Sequence, residues 1–213
     1  LFFEGIKNAE SSGDWSTYEY NRRRKNIGHK EKNMAEPKAA VKAKLFCGIL
    51  TKYTEVLEEI ETELSRLFGE IDTRSELMRF DKTDYYTESM GAPIMREFVS
   101  FVPLVEQDEL SRIKLQTNEI EKRFFQNKRF DVIRPVNLDP GILTSSRLVL
   151  ASCKDYSHRI YLGNGVYAEV TLIYRKGEFT PLEWTYPDYR SEEYRNYFKK
   201  VREIYTAQLR LLK

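Results

Sequence analysis

Between residues 43 and 51 the chain reads AKLFCGILT, apolar at nearly every position, the pattern of a strand buried on both faces. The period then changes. Over 54–68, Val56, Leu57, Ile60, Leu64, Leu67 and Phe68 fall on one stripe at helical spacing, and Gly69 supplies a stop. Segments 71–80 and 97–105 return to strand character, separated by the polar link DKTDYY at 81–86. A second helix is predicted over 108–125, with Leu110, Ile113, Thr117, Ile120 and Phe124 in register. Lys114, Asn118 and Glu121 of that helix read as its solvated face. A fourth strand is predicted over 131–138, with Pro135 marking an edge or a bulge.

Strand, helix, strand, strand, helix, strand is the split βαβ order of a ferredoxin-like sandwich. Further strands over 147–153, 157–162 and 166–175 enlarge the antiparallel sheet. A C-terminal helix then begins at a Ser191 cap, with Glu192 and Glu193 in its first turn. Tyr194, Tyr197, Phe198, Val201, Ile204, Tyr205 and Leu212 form its apolar face. The expectation is one α+β domain. Around Gly163-Asn164-Gly165, a three-residue loop with Gly165 left-handed would set Leu162 opposite Val166 and Ile160 opposite Ala168. That register gathers the apolar side chains on one face, so burial should select it. It also sets Arg159 opposite Glu169 as a cross-strand ion pair and His158 on the core side.

Residues 1–33 differ from the rest: polar, aperiodic, and holding the basic cluster Arg22-Arg23-Arg24-Lys25. Met34-Ala35-Glu36-Pro37-Lys38 reads like a protein start. Lys30-Glu31 can be encoded as AAGGAG, a strong bacterial ribosome-binding sequence, with Lys32 and Asn33 as spacer. We therefore expect residues 1–33 to be translated leader and 34–213 the domain, against the rival of a disordered basic arm. Net charge is +2, from 35 basic and 33 acidic residues. The excess lies before Met34, leaving the domain neutral and without the broad footprint expected of a nucleic-acid binder. No apolar run approaches the ~18 residues that span a bilayer. Cys47 and Cys153, in strand-like apolar runs, read as buried thiols of a reducing compartment, which predicts a cytoplasmic protein.

The chemistry-bearing residues concentrate in three segments. The link at 81–86 offers Asp81, Asp84 and Tyr85, as a site lid or a solvated loop. NLDPG at 137–141 reads as a strand exit into a turn that presents the Asn137 amide and the Asp139 carboxylate. KDYSHR at 154–159 is the densest group. His158 is the only histidine beyond the leader, so it and Asp155 are the acid–base candidates, against the reading of a structural histidine held by a carboxylate. Lys154 and Arg159 favour an anion, and Glu169 completes the set. Trp184 to Arg190 form an aromatic corner whose plainer role is packing. No GxxxxGK[ST], GxGxxG or GxSxG is present, and two distant cysteines with one domain histidine do not make a zinc site. A carboxylate magnesium site from Asp81, Asp84, Asp139 or Asp155 has no diagnostic spacing.

The runs FDKTDYY, FVSF, KLQTNE, NLDPG, LVLA, KDYSHRIYL, YAEVTL and WTYPDYRSEEY, in that order, resemble a bacterial family, domain of unknown function 4416. The resemblance covers essentially all of the chain from Met34 to Leu212. It implies no activity; some members carry a GTP-binding label, for which these motifs contain no phosphate loop. The function expected is binding of a small anionic ligand, phosphate- or nucleotide-like, in a pocket formed by the three polar segments. The alternative is a non-catalytic RNA- or protein-binding module on a ferredoxin-like sheet, and an assembly role through the aromatic C-terminal helix is a third reading.

Overall fold

The computed structural model describes residues 36–212, and residues 40–213 form one compact unit. The leader expectation lies outside the described residues. Nine strands form one sheet. They are β1 (Ala43–Thr51), β2 (Ile71–Arg74), β3 (Met78–Arg79), β4 (Met95–Val105), β5 (Val136–Leu143), β6 (Arg147–Ser152), β7 (Ile160–Gly163), β8 (Val166–Arg175) and β9 (Glu178–Pro181). The helices are α1 (Leu57–Phe68), α2 (Thr87–Met90), α3 (Leu110–Gln126) and α4 (Glu192–Leu211). Strand neighbours run β2-β4-β1-β5-β6-β8-β7, with β3 also pairing β4 and β9 also pairing β8. Every pairing is antiparallel. The architecture is α+β.

The unbroken apolar run of β1 has the expected cause: both faces are covered, and all nine of its residues are buried. Ala43, Leu45, Cys47 and Ile49 pack under α1 and α3, against Ile60, Leu64, Ile113 and Ile120. On the other face Phe46 packs with Phe98, Leu143 and Leu148 beneath Tyr197, Phe198, Val201 and Tyr205 of α4. Phe98 sits 4.7 Å from the Tyr194 ring and 5.0 Å from that of Phe198, both edge-on. Ser191 caps α4, its hydroxyl accepting from the Tyr194 N–H at 3.3 Å. Among the described residues no helix is long and apolar enough to cross a membrane.

Several boundaries differ from the sequence pattern. The strand expected at 71–80 is two short pieces on the sheet's edge, and the strand expected at 131–138 lies at Val136–Leu143. NLDPG is therefore not a turn. Asn137 to Gly141 lie inside β5, paired with Leu50 to Phe46 of β1. The tertiary ladder overrides the turn preference of Asp-Pro-Gly. The β7–β8 hairpin uses the two-residue Asn164-Gly165 turn, with φ of 56° and 75°, and Gly163 opposite Val166. An irregularity between Tyr161 and Gly163 then restores Ile160 opposite Ala168, as expected. Burial does not set this register: Ile160 is 69% exposed on the outermost strand. Both cysteines are free, and Cys47 is buried, but Cys153 is exposed just past the end of β6.

One buried carboxyl stands out. Glu97 of β4 has an Oε2 without a hydrogen-bond partner among the described residues. Burial, then the neighbouring Glu61 carboxylate, raises its pKa to about 7. A folded-state pKa above the unfolded value means stability present in acid and lost as pH rises toward 7. Glu97→Gln should therefore be more stable than wild type at pH 8 by about 1–3 kcal/mol, with the difference vanishing near pH 4.5. Urea denaturation across that range checks this; a pH-independent difference would refute it.

Candidate functional site

A proline creates the cleft. β5 pairs with β1 along its whole length but with β6 only at Gly141, Ile142 and Leu143. Pro140 has no N–H to continue that ladder. Alternate residues of a strand present their backbone groups to the same edge, so Leu138 is left without a strand neighbour there. Side chains of α3 replace it. The Leu138 N–H donates to Glu121 Oε1 at 2.9 Å, and its C=O accepts from Lys114 Nζ at 2.7 Å. β6 continues to Ser152 paired with β8. Where β5 and β6 part, a cleft of about 1290 Å³ opens.

Its floor is an ion pair carried across a strand. Arg96 of β4 is 2% exposed and donates through Nη1 to Asp139 Oδ2 of β5 at 3.0 Å. β1 lies between those strands, and the residue opposite Asp139 is Gly48. A Cβ at Gly48 would stand 2.5 Å from Arg96 Nη1 and 2.9 Å from the Phe98 ring. Glycine leaves room for the guanidinium to lie over β1. Arg96 Nη2 also reaches Asp188 at 3.5 Å, and Asn137 Nδ2 donates to Asp139 Oδ2 at 2.9 Å. Burial raises the pKa of Asp139, but Arg96, Lys114 and the Asn137 hydrogen bond outweigh it and hold the carboxyl below its ordinary value. Asp188 moves upward, because there burial exceeds the attraction of Arg96.

The far wall is built around Glu169 of β8. Its Oε2 accepts from Arg159 Nε at 2.8 Å and lies 3.1 Å from His158 Nε2. Arg159 continues through Nη1 to Ser152 Oγ and the Lys154 C=O, and through Nη2 to the Tyr186 hydroxyl. His158 stacks on Trp184, ring centroids 5.1 Å apart and planes 13° apart. At the mouth, Lys154 Nζ donates to the Tyr85 hydroxyl, joining the 81–86 link to the end of β6. Lys154 draws the Tyr85 phenol pKa below its ordinary value.

Residues 41–205 match the family described as "Domain of unknown function (DUF4416)". The chain belongs to this family. No curated protein and no solved structure matches the chain.

In this DUF4416 protein the cleft brings together Tyr85, Asn137, Asp139, Lys154, Asp155 and Arg159 from the three sequence segments, with Glu169 from β8. Asp81, Asp84 and His158 do not line it. Asp81 is exposed and pairs with Lys82 at 3.1 Å, and Asp84 is exposed. Asp155 lines the cleft but makes no hydrogen bond to His158. The expected Arg159–Glu169 pair is present, and His158 joins it. Among the described residues no group of three or more His, Cys, Asp or Glu is placed to hold a metal ion. The reading of Lys114, Asn118 and Glu121 as a solvated face is corrected. All three line the cleft: Lys114, which is buried, and Glu121 complete the unpaired edge of Leu138, and Asn118 Nδ2 donates to Cys153 Sγ at 3.3 Å.

Sequence reasoning gave no site role to Arg96, Arg134 or Asp188. A glycine inside the apolar run of β1 was the available signal, since strand glycines mark close approach of another group. We expect Gly48→Ala to cost about 1–3 kcal/mol by overpacking. Arg96→Met should cost about 3–5 kcal/mol by leaving a buried carboxylate unpaired. Urea denaturation measures both; a Gly48→Ala protein as stable as wild type would show that the guanidinium does not lie over β1.

Proposed function

We propose that the cleft binds a small phosphate-bearing ligand of roughly nucleotide size. One observation carries this reading. Lys82, Arg96, Lys114, Lys122, Arg134, Lys154 and Arg159 line the cleft. All but Lys154 have a carboxylate within 4.0 Å. Among the described residues Lys154 is paired only with a phenol hydroxyl, that of Tyr85. An anionic oxygen is a stronger acceptor than a phenol and would replace it. Tyr85, Tyr86, Tyr156 and Tyr186 around the same cleft offer aromatic surface for a flat group such as a base. The volume stands slightly above the usual range for small-ligand sites, as suits an open cleft.

We further read the first six main elements as ferredoxin-like. The order β1-α1-β2-β4-α3-β5, with neighbours β2-β4-β1-β5, supports it. An RNA-binding sheet of this kind needs an open face, and here α4 covers the face opposite α1 and α3, which favours the cleft reading. Two free thiols support a cytoplasmic setting as part of the same proposal.

Thermal denaturation with inorganic phosphate, pyrophosphate and a nucleotide panel tests this reading. At ten times the dissociation constant, a bound ligand should raise Tm by about 3–6 °C. Lys154→Met should abolish that rise while leaving the unliganded Tm within about 1–2 °C of wild type, since exposed substitutions change stability little. Tyr85→Phe should tighten binding by removing the competing hydroxyl. A panel with no stabilising compound, or stabilisation unchanged in Lys154→Met, would overturn the proposal.

A further inference from the structure

The floor of the cleft carries unused hydrogen-bond capacity of one kind. Asp139 Oδ2 accepts from both Arg96 and Asn137, whereas Oδ1 accepts nothing from the described residues. The Asp139 side chain is 24% exposed, and the residue lines the cleft. Asn137 is 1% exposed, and its Nδ2 must face Asp139, because a carboxylate only accepts. That orientation leaves the Asn137 carbonyl oxygen without a donor among the described residues, in a side chain that borders the cleft. Both residues lie on the same face of β5, two positions apart. Glu121 beside them has both oxygens engaged, by Leu138 and Arg134. Neither atom is among the buried side-chain atoms that lack a partner, so both count as acceptors on residues that line the cleft, available to a ligand that brings donors.

We infer that the ligand is bipolar: a phosphate ester whose other end carries an amino group or an N–H edge, received by Asp139 Oδ1 and the Asn137 carbonyl. Asp139 and Asn137, on the less accessible floor, would then be specificity-determining residues, with the exposed Lys154 taking the phosphate. This rests on the phosphate reading above. It deepens that reading, because a site for phosphate alone needs no acceptor pair at its floor. A carboxylate held ionised accepts hydrogen bonds well and is a weak proton acceptor, which makes Asp139 a recognition group here rather than a base.

Isothermal titration of the full chain with matched pairs tests the inference. Aminoalkyl phosphates with spacers of increasing length would be compared with the corresponding alkyl phosphates, and adenosine 5′-phosphate with purine riboside 5′-phosphate. The amino member of at least one pair should bind tenfold or more tightly, in keeping with the penalty for leaving site acceptors unpaired. Asn137→Ala, which keeps the Arg96–Asp139 pair, should narrow that preference by weakening the amino member more than the amine-free member. Asp139→Asn should do the same if the protein folds. Equal affinities within every pair would overturn the inference and leave phosphate binding standing. Binding of neither member would remove both.

Discussion

The Arg96–Asp139 ion pair is the constraint around which the molecule is arranged. Removing a guanidinium and a carboxylate from water costs several kcal/mol per ion, returned only when geometry is good and the remaining polar atoms are engaged. Here the guanidinium crosses β1 through the space a side chain at Gly48 would fill. It meets Asp139 on β5 and Asp188 in the turn before α4. One side chain thereby ties three strands to the segment that launches the last helix. Its Nε is left without a partner among the described residues, a cost that the contacts to the two carboxylates must offset. Phe80 and Phe98 face the guanidinium at 5.4 and 5.2 Å and complete its surroundings.

From that anchor the cleft follows by simple backbone accounting. A central strand must satisfy both edges. β5 does so on one side with β1, while Pro140 interrupts the other after only three paired positions. The orphaned groups of Leu138 draw Lys114 and Glu121 inward from α3, and Glu121 in turn fixes Arg134 at 2.9 Å. The charged residues lining the cleft are thus mostly there to complete a sheet edge or to neutralise one another. The net charge of a site lined by seven basic residues says little about what it attracts. The base that lacks a carboxylate says more.

What could be read from the chain divides along the same line. Helix stripes such as Val56, Ile60 and Leu64, the Ser191 cap and the doubly buried β1 follow from local periodicity and were legible. So was the convergence of Tyr85, Asn137, Asp139, Lys154 and Arg159, because polar residues beside apolar strands need partners. The role of NLDPG was not legible. Asp-Pro-Gly has strong turn chemistry, and its place inside a strand depends on pairing with residues about ninety positions earlier. Lys114 and Glu121 misled for a related reason: helical spacing puts them on a polar face, and only the broken edge of β5 makes that face an inside one. His158 was found as a chemistry-bearing residue, but it is not among the cleft-lining residues: its ring stacks on Trp184 and meets Glu169.

Stability and recognition are therefore entangled at the floor of the cleft and separable at its mouth. Asp139 is the carboxylate that keeps Arg96 buried, so a substitution there disturbs the fold and any ligand contact together. Lys154 and Tyr85 are exposed, belong to segments that meet only through side chains, and support no backbone edge. An exposed pairing of this kind contributes little to stability. A side-chain contact that joins two distant segments over a cleft while contributing little to the fold is positioned to exchange partners at small free-energy cost. On the proposed reading, it is therefore the mouth, rather than the more heavily charged floor, that decides whether an anion is bound.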